Sequence, residues 1–272
     1  AIHGLFDINH QRAQELARAF GRDTSVEVIF EDGIYYLPST VRFTYDDGKD
    51  YPATVTYRAR HEGKAIISGG QQVKLNWKRE PGNIYVAKVP ASVVIDQLYV
   101  DNMQQQMARF PNAQPGQGRN VYDTWVLDHN AQPDPDMDPL QPERVSHWTH
   151  PEGGYVHAMH TALWGDMHWE IKGVNEDGTL QLEGGWQNNR PSGMHPVYRF
   201  VENIKEELDE PGEWYYDRLA SQIHYMPYPE MDIDDAHVEI VRLKHLIEFN
   251  GSKASPVQGI NLEGFTFKHT VR

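Results

Sequence analysis

The 272-residue sequence contains no cysteine. That removes disulfides, thiol nucleophiles and cysteine-ligated zinc, though it assigns no redox compartment. No run approaches the roughly 18 apolar residues of a membrane-spanning helix. Basic residues are few: 25 Lys and Arg stand against 39 Asp and Glu, for a net charge of −14. So acidic a chain offers no face to nucleic-acid phosphates or to an anionic membrane, and neither partner is expected. There is no phosphate-cradling glycine loop and no nucleophile elbow. Residues 1–9 have neither the basic start nor the apolar core of a signal peptide, and a mature exported protein looks the same.

What is present is β-forming. Aromatics make up 11% of the chain, with seven Trp and 14 Tyr; carbohydrate-active β-proteins share that richness with β-proteins that bind no sugar. One helix is predicted over residues 10–21, with Ala13, Leu16, Ala17 and Phe20 on one stripe and Gly21 as a stop. Short β-branched runs follow at 25–30, 40–45, 53–59 and 64–69, parted by Gly, Pro, Asp and Asn. Without hairpin signals between them, they suit stacked coils of a solenoid better than a meander. From Asp96 hairpins take over. "QLYV-DN-MQQQMARF" turns at Asp101-Asn102, and further hairpins are read around "NEDG" and in "GEWYYD…SQIHYMP". Residues 111–144 form a long connection rich in Pro, Asn and Asp. Past Asp235 short rung-like strands return.

The expected organisation is a cap and first coils (1–90), an inserted hairpin-rich β-domain (91–227) and resumed coils (228–272). A solenoid needs about three stacked repeats and a capped end. The reading is therefore the N-terminal part of a longer protein, against the alternative of a short solenoid completed by a second chain.

Six phrases, "QRAQELARAF", "DGIYYLPSTVRF", "VTYRARHEGKAIISGG", "DQLYVDNMQQQMARFPN", "PGEWYYDRLASQIHYMP" and "VQGINLEGFTFKHT", stand in an order that resembles the N-terminal half of right-handed parallel β-helix glycoside hydrolases. The likeness is to family 141 and its relatives, and more distantly to families 110 and 120. It covers most of residues 10–272. The opening "AIHGLFDINH" departs from the family's strand and G-x-D turn, and "LYVDNMQ" lacks its Asn-Gly. The resemblance implies an all-β fold: N-terminal coils of a right-handed parallel β-helix, a short N-terminal helix, and an inserted β-sandwich or barrel-like domain. It also implies a secreted or periplasmic protein acting on fucosyl, xylosyl or galactosyl linkages without a cofactor. The catalytic carboxylates would lie on later coils, beyond Arg272, so no catalytic residue is assigned. A non-catalytic carbohydrate-binding β-helix is the competing class, and a polysaccharide lyase a third, disfavoured by the absence of a basic cluster.

The candidate substrate contacts lie in "LWGDMHWEIKGVNEDGTLQLEGGWQNNR". If Val174 faces Thr179, then Trp169 faces Gly184 and Met167 faces Trp186. Alternation then puts Trp164, Asp166 and His168 on one face, with His160 if the strand runs back that far. Trp164 and Trp186 offer flat apolar faces to a pyranose; Asp166, Asn188, Asn189 and Arg190 offer paired hydrogen bonds to hydroxyls. The competing reading is a buried Trp pair with the asparagines in a turn. Of His147, His150, His157, His160 and His168, the first four form two H-x-x-H pairs, but at i, i+3 on strands the two members point to opposite faces, and no metal is expected. Nor is calcium at "AQPDPDMDP", which lacks the EF-hand glycine and glutamate. Asp209, Glu210, Glu213 and Asp217 beside a Pro-Gly turn, and Arg109, are read as structural.

Overall fold

Short strands dominate because the β-branched and aromatic runs are brief and end at turn-forming residues. The computed structural model describes residues 10–91, 93, 95–113, 130–187, 190–191 and 193–271. In chain order, helix α1 (His10–Arg18) is followed by β1 (Val26–Phe30), β2 (Gly33–Tyr36), β3 (Val41–Thr44), β4 (Val55–Ala59), β5 (Ala65–Ser68) and β6 (Gly70–Val73). Next come β7 (Lys78–Glu80), β8 (Ile84–Lys88), β9 (Gln97–Val100), β10 (Met103–Met107), β11 (Arg109–Phe110) and the short helix α2 (Pro142–Val145). The strands β12 (Tyr155–His160), β13 (Asp166–Val174), β14 (Leu180–Gly184), β15 (Trp186–Gln187), β16 (Arg190–Pro191) and β17 (Met194–Glu202) lead on to β18 (Glu213–Asp217) and β19 (Gln222–Tyr225). The chain then forms β20 (Val238–Val241), β21 (Ile247–Asn250), β22 (Ile260–Glu263) and β23 (Phe265–Lys268).

These elements fall into two compact units, one of Ala1–Val73, Val94–Gln97 and Val238–Arg272, the other of Lys74–Val93 and Leu98–His237. The chain is mostly β, as its patterning predicts, and its sheets mix parallel and antiparallel pairs.

In the first unit three parallel ladders run β1-β4-β22, β2-β5-β23 and β3-β21. Like side chains stack in register: Val26, Val55 and Ile260 in one column, Val28, Tyr57 and Leu262 in the next. Alternation sends these inward, where they form a core with Phe43, Ile67, Leu243 and Leu246. Strand β21 lies on β3, so the tier begun by β4 and β5 is completed by a strand that returns only after the whole second unit. Between them, β6 and β20 pair antiparallel.

Helix α1 packs against this core through Ala13 and Ala17, while Leu16 and Phe20, expected on the same stripe, are exposed. The helix stops at Arg18 because buried Lys49 satisfies its end. The ammonium donates to the carbonyls of Ala17 at 3.1 Å, Phe20 at 2.9 Å and Gly21 at 3.0 Å. Arg18 and Gln14 reach the buried carboxylate of Asp47.

The second unit holds a five-stranded antiparallel sheet, β11-β17-β12-β13-β14, and a six-stranded run, β9-β10-β18-β19-β8-β7, in which β10 and β18 are parallel. The β9–β10 hairpin turns on Asp101 (φ 49°) and Asn102 (φ 63°), the left-handed pair that its sequence demands. One face of the five-stranded sheet buries Val156, Ala158, Met167, Trp169, Ile171 and Val201 beside Trp148. Trp148 and Arg144 from the α2 region are anchored on Glu207.

Candidate functional site

Strand β13 alternates strictly, so Met167, Trp169 and Ile171 point into the core and Asp166, His168, Glu170 and Lys172 point outward. The neighbouring strands set an outward row across the sheet in the register Arg109, Glu202, Tyr155, Glu170, Glu183. A second row runs Phe200, His157, His168. The rows are buried at the β17 side and open at the β13 side. His157 stacks on Phe200 with ring centroids 4.7 Å apart, bonds Glu202 through Nε2 at 2.9 Å, and lies 5.6 Å from the His168 ring. Glu202 is only 1% exposed. Arg109 lies 3.8 Å over Phe200 and donates to the carbonyl of Pro111.

The anticipated contact residues separate in space. Asp166 and His168 share the exposed face of β13. His160, the last residue of β12, has the parity of Val156 and Ala158 and so belongs to the other face. Trp164 sits in the turn between β12 and β13, 72% exposed, with its indole stacked on the His160 ring at 5.0 Å and 4°. His160 Nδ1 accepts from the amide of Ala162, which holds the ring in place.

Trp186 does not face Met167. It pairs with Pro191 in the small ribbon of β15 and β16, 64% exposed, and Arg190 pairs with Gln187 there. The departure is caused by two glycines. Gly184 (φ 131°) and Gly185 (φ 68°) turn the chain out of β14, and a Cβ on Gly185 would lie 1.9 Å from Nε1 of Trp169. A bulge at Lys172 also moves Val174 opposite Leu180 rather than Thr179, while Trp169 still faces Gly184. Trp169 is therefore the core tryptophan of the segment, and Trp164 and Trp186 are its exposed ones. Asn188 and Asn189 lie outside the described residues.

Sequence reasoning missed a cleft of about 830 Å³ at the far end of β13. Glu170 and Lys172 form one wall; His150 and Glu152 precede β12, while Lys205 and Arg218 come from loops near β17 and β18. Arg218 is held by Glu170 at 3.1 Å and by the hydroxyl of Tyr155, and its guanidinium packs over Gly153. Lys172 bridges Glu170 at 2.7 Å and Glu183 at 3.0 Å. The Lys172 hydrogen bond holds the Glu170 carboxyl below the usual range, so at neutral pH it accepts hydrogen bonds and has no proton to give. Tyr215 lines the cleft, its hydroxyl pushed up to about 12 by burial. The alternation of β13 carried a signal for Glu170 and Lys172; nothing local in the sequence pointed to Arg218.

Glu213, beside the cleft residues in sequence, is buried and caps the amides of Arg109, Asp209 and Glu210. Among the described residues no group of three or more His, Asp or Glu is placed to hold a metal ion. No described helix is long and apolar enough to cross a membrane.

Comparisons with protein-family models and with curated proteins found no match. Among solved structures, one titled "Glycoside hydrolase" aligns with a TM-score of 0.72 at 21% identity, over 97% of this chain and 47% of that one. "The complex structure of XylC with xylose" aligns over 90% of this chain and 30% of that one at 15% identity, with a TM-score of 0.36, too low to indicate a common fold. The chain thus spans about half the length of the first structure and shares its fold.

Proposed function

We propose that this chain is part of a carbohydrate-active enzyme of the glycoside hydrolase type, carrying substrate-binding elements rather than the cutting residues. The observation that carries the reading is the fold likeness to a structure named a glycoside hydrolase over nearly the whole chain. The three parallel ladders support a finer reading, in which they are the opening coils of a right-handed parallel β-helix of the family 141 type. Helix α1 covers one side of the ladders. On the other, β21, β22 and β23 each have, among the described residues, a ladder partner on one edge only and leave Phe249 and Phe267 exposed. Further coils stacking there would bury those rings and supply the two carboxylates that acid/base hydrolysis requires.

In this proposal a sugar ring lies on the indole of Trp164, backed by His160, while Asp166 and His168, on the opposite sheet face from His160, offer hydrogen bonds to a neighbouring stretch of glycan. Trp186 and Arg190 form a second edge. The protein acts outside the cytoplasm, where polysaccharide is met.

A non-catalytic carbohydrate-binding role has one observation in its favour. Glu170, one of the carboxylates lining the described cleft, is paired with Lys172 and Arg218 and has its pKa lowered, so this cleft supplies binding groups rather than a general acid. Hydrolysis assays of the full-length protein on fucosyl, xylosyl and galactosyl substrates decide between the two. Turnover that is lost on replacing carboxylates of later coils supports the enzyme. Well-folded protein that binds glycan and turns over none of the three sinks the hydrolase reading.

A further inference from the structure

We propose that the cleft at the far end of β13 is a second saccharide site, and that it and the outward edge of β13 at Asp166 and His168 together hold one long neutral glycan chain. The inference rests on the carbohydrate reading above and adds to it the length and charge of the ligand.

Continuity comes first. Asp166, His168, Glu170 and Lys172 form a single outward file on β13, and its last two members are also the cleft wall. Seven residues of extended strand span roughly 20 Å, room for several linked sugar rings.

The lining selects the chemistry. Four carboxylates, Glu152, Glu170, Glu206 and Asp217, line the cleft together with the cations of Lys172, Lys205 and Arg218. A uronate or sulfated chain would meet the carboxylates, and a polyamine would meet the cations. A polyhydroxylated neutral ligand accepts from the one kind of group and donates to the other. Much of this wall is fixed before any ligand arrives: Arg218 and Lys172 are pinned on Glu170, Glu206 accepts from the amide of Thr149, and Asp217 accepts from the amide of Ala220. Groups already ordered lose little entropy on binding.

Two charged side chains, Glu152 and Lys205, are left over for the ligand, beside the imidazole of His150. Among the described residues neither Glu152 nor Lys205 has an ion pair or side-chain hydrogen bond, and both are exposed in the cleft wall. Leu219 projects at the rim, 92% exposed, where it offers an apolar surface to the C–H face of a sugar. The volume of about 830 Å³ falls within the range of small-ligand sites.

The test is calorimetric titration of the whole chain with xylo- and galacto-oligosaccharides of increasing length, and with oligogalacturonate as the charged comparator. Affinity for the neutral series is expected to rise with length. The double variant Glu152→Ala/Lys205→Ala is expected to bind the long members roughly 5- to 20-fold more weakly and the short ones unchanged. Both substitutions are at exposed positions, so folding is preserved. A length gain that survives in the double variant, or tighter binding of oligogalacturonate than of every neutral probe, overturns the proposal. If Trp164→Ala weakens binding while the double variant does not, the cleft proposal falls and the glycan reading stands. If no neutral probe binds the wild-type chain, both fall together.

Discussion

The rings of His160 and Trp164 are stacked nearly parallel, 4° apart at 5.0 Å, and the indole is nonetheless largely exposed. An exposed tryptophan usually loses rotamer freedom when it is captured by a ligand. Here the imidazole has already ordered it, and His160 is itself fixed by the Ala162 amide. Trp164→Ala is expected to weaken binding of neutral oligosaccharides by about 1 kcal/mol, roughly fivefold. The melting temperature should barely change, because little of the side chain is buried. Titration and thermal unfolding of the same variant check both halves. Unchanged affinity would remove Trp164 from the site.

Local chemistry was legible in the sequence and long-range partnership was not. Asp101-Asn102 announced a two-residue hairpin, and the turn has the left-handed angles they favour. Alternation along β13 correctly separated Asp166 and His168 from Met167 and Trp169. By contrast, α1 was expected to bury Leu16 and Phe20. A lysine distant in sequence, Lys49, ends the helix before Phe20, and the buried face is the narrow Ala13, Ala17 and Gln14 strip. Trp186 was misplaced because a strand was extended through a Gly-Gly pair whose purpose is to leave the sheet. The cleft was invisible because Arg218 meets Glu170 from 48 residues away. The same holds for β21 on β3, where sequence shows two short strands and nothing that pairs them.

The Gly185 contact yields a stability prediction. Gly185→Ala places a methyl group inside the Trp169 indole and requires a non-glycine residue at φ 68°. The two penalties together are expected to cost about 2–4 kcal/mol. Chemical denaturation should show a lower midpoint, and tryptophan fluorescence should report a disturbed Trp169. A variant as stable as wild type would mean that the chain leaves β14 by another route.

Lys49 is 2% exposed and gives its donors to one carbonyl in the last turn of α1, Ala17, and two just past its end, Phe20 and Gly21. Burial draws its pKa down, and the carbonyl dipoles are what make the buried charge tolerable. Lys49→Met keeps the stem but strands three carbonyl groups. The expected loss is about 3 kcal/mol, the scale of hydrogen bonds to a charged group. It should be concentrated at α1, so that hydrogen exchange accelerates at residues 14–18 before it does in β4 or β5. Uniform acceleration would contradict the capping role.

Glu213 makes stability depend on pH in an unusual direction. Burial pushes its carboxyl up to about 8, outweighing the amides of Asp209, Glu210 and Arg109, which favour the ionised form. Below the ordinary value of 4.5 both folded and unfolded chains hold the proton, and the contribution is fully present. Between 4.5 and about 8 the unfolded chain ionises while the folded one stays protonated, so stability falls as pH rises. One such group contributes a slope of at most about 1.4 kcal/mol per pH unit, and the loss levels off once the folded carboxyl also ionises. Other carboxylates contribute slopes of the opposite sign, so the difference between wild type and Glu213→Gln is the quantity to measure. Glutamine keeps an oxygen for the Asp209 and Glu210 amides that Oε2 serves, and cannot ionise. Urea unfolding across this range should show the variant gaining on wild type as pH rises. A constant difference would show that Glu213 is ionised in the folded protein, with the amides prevailing over burial.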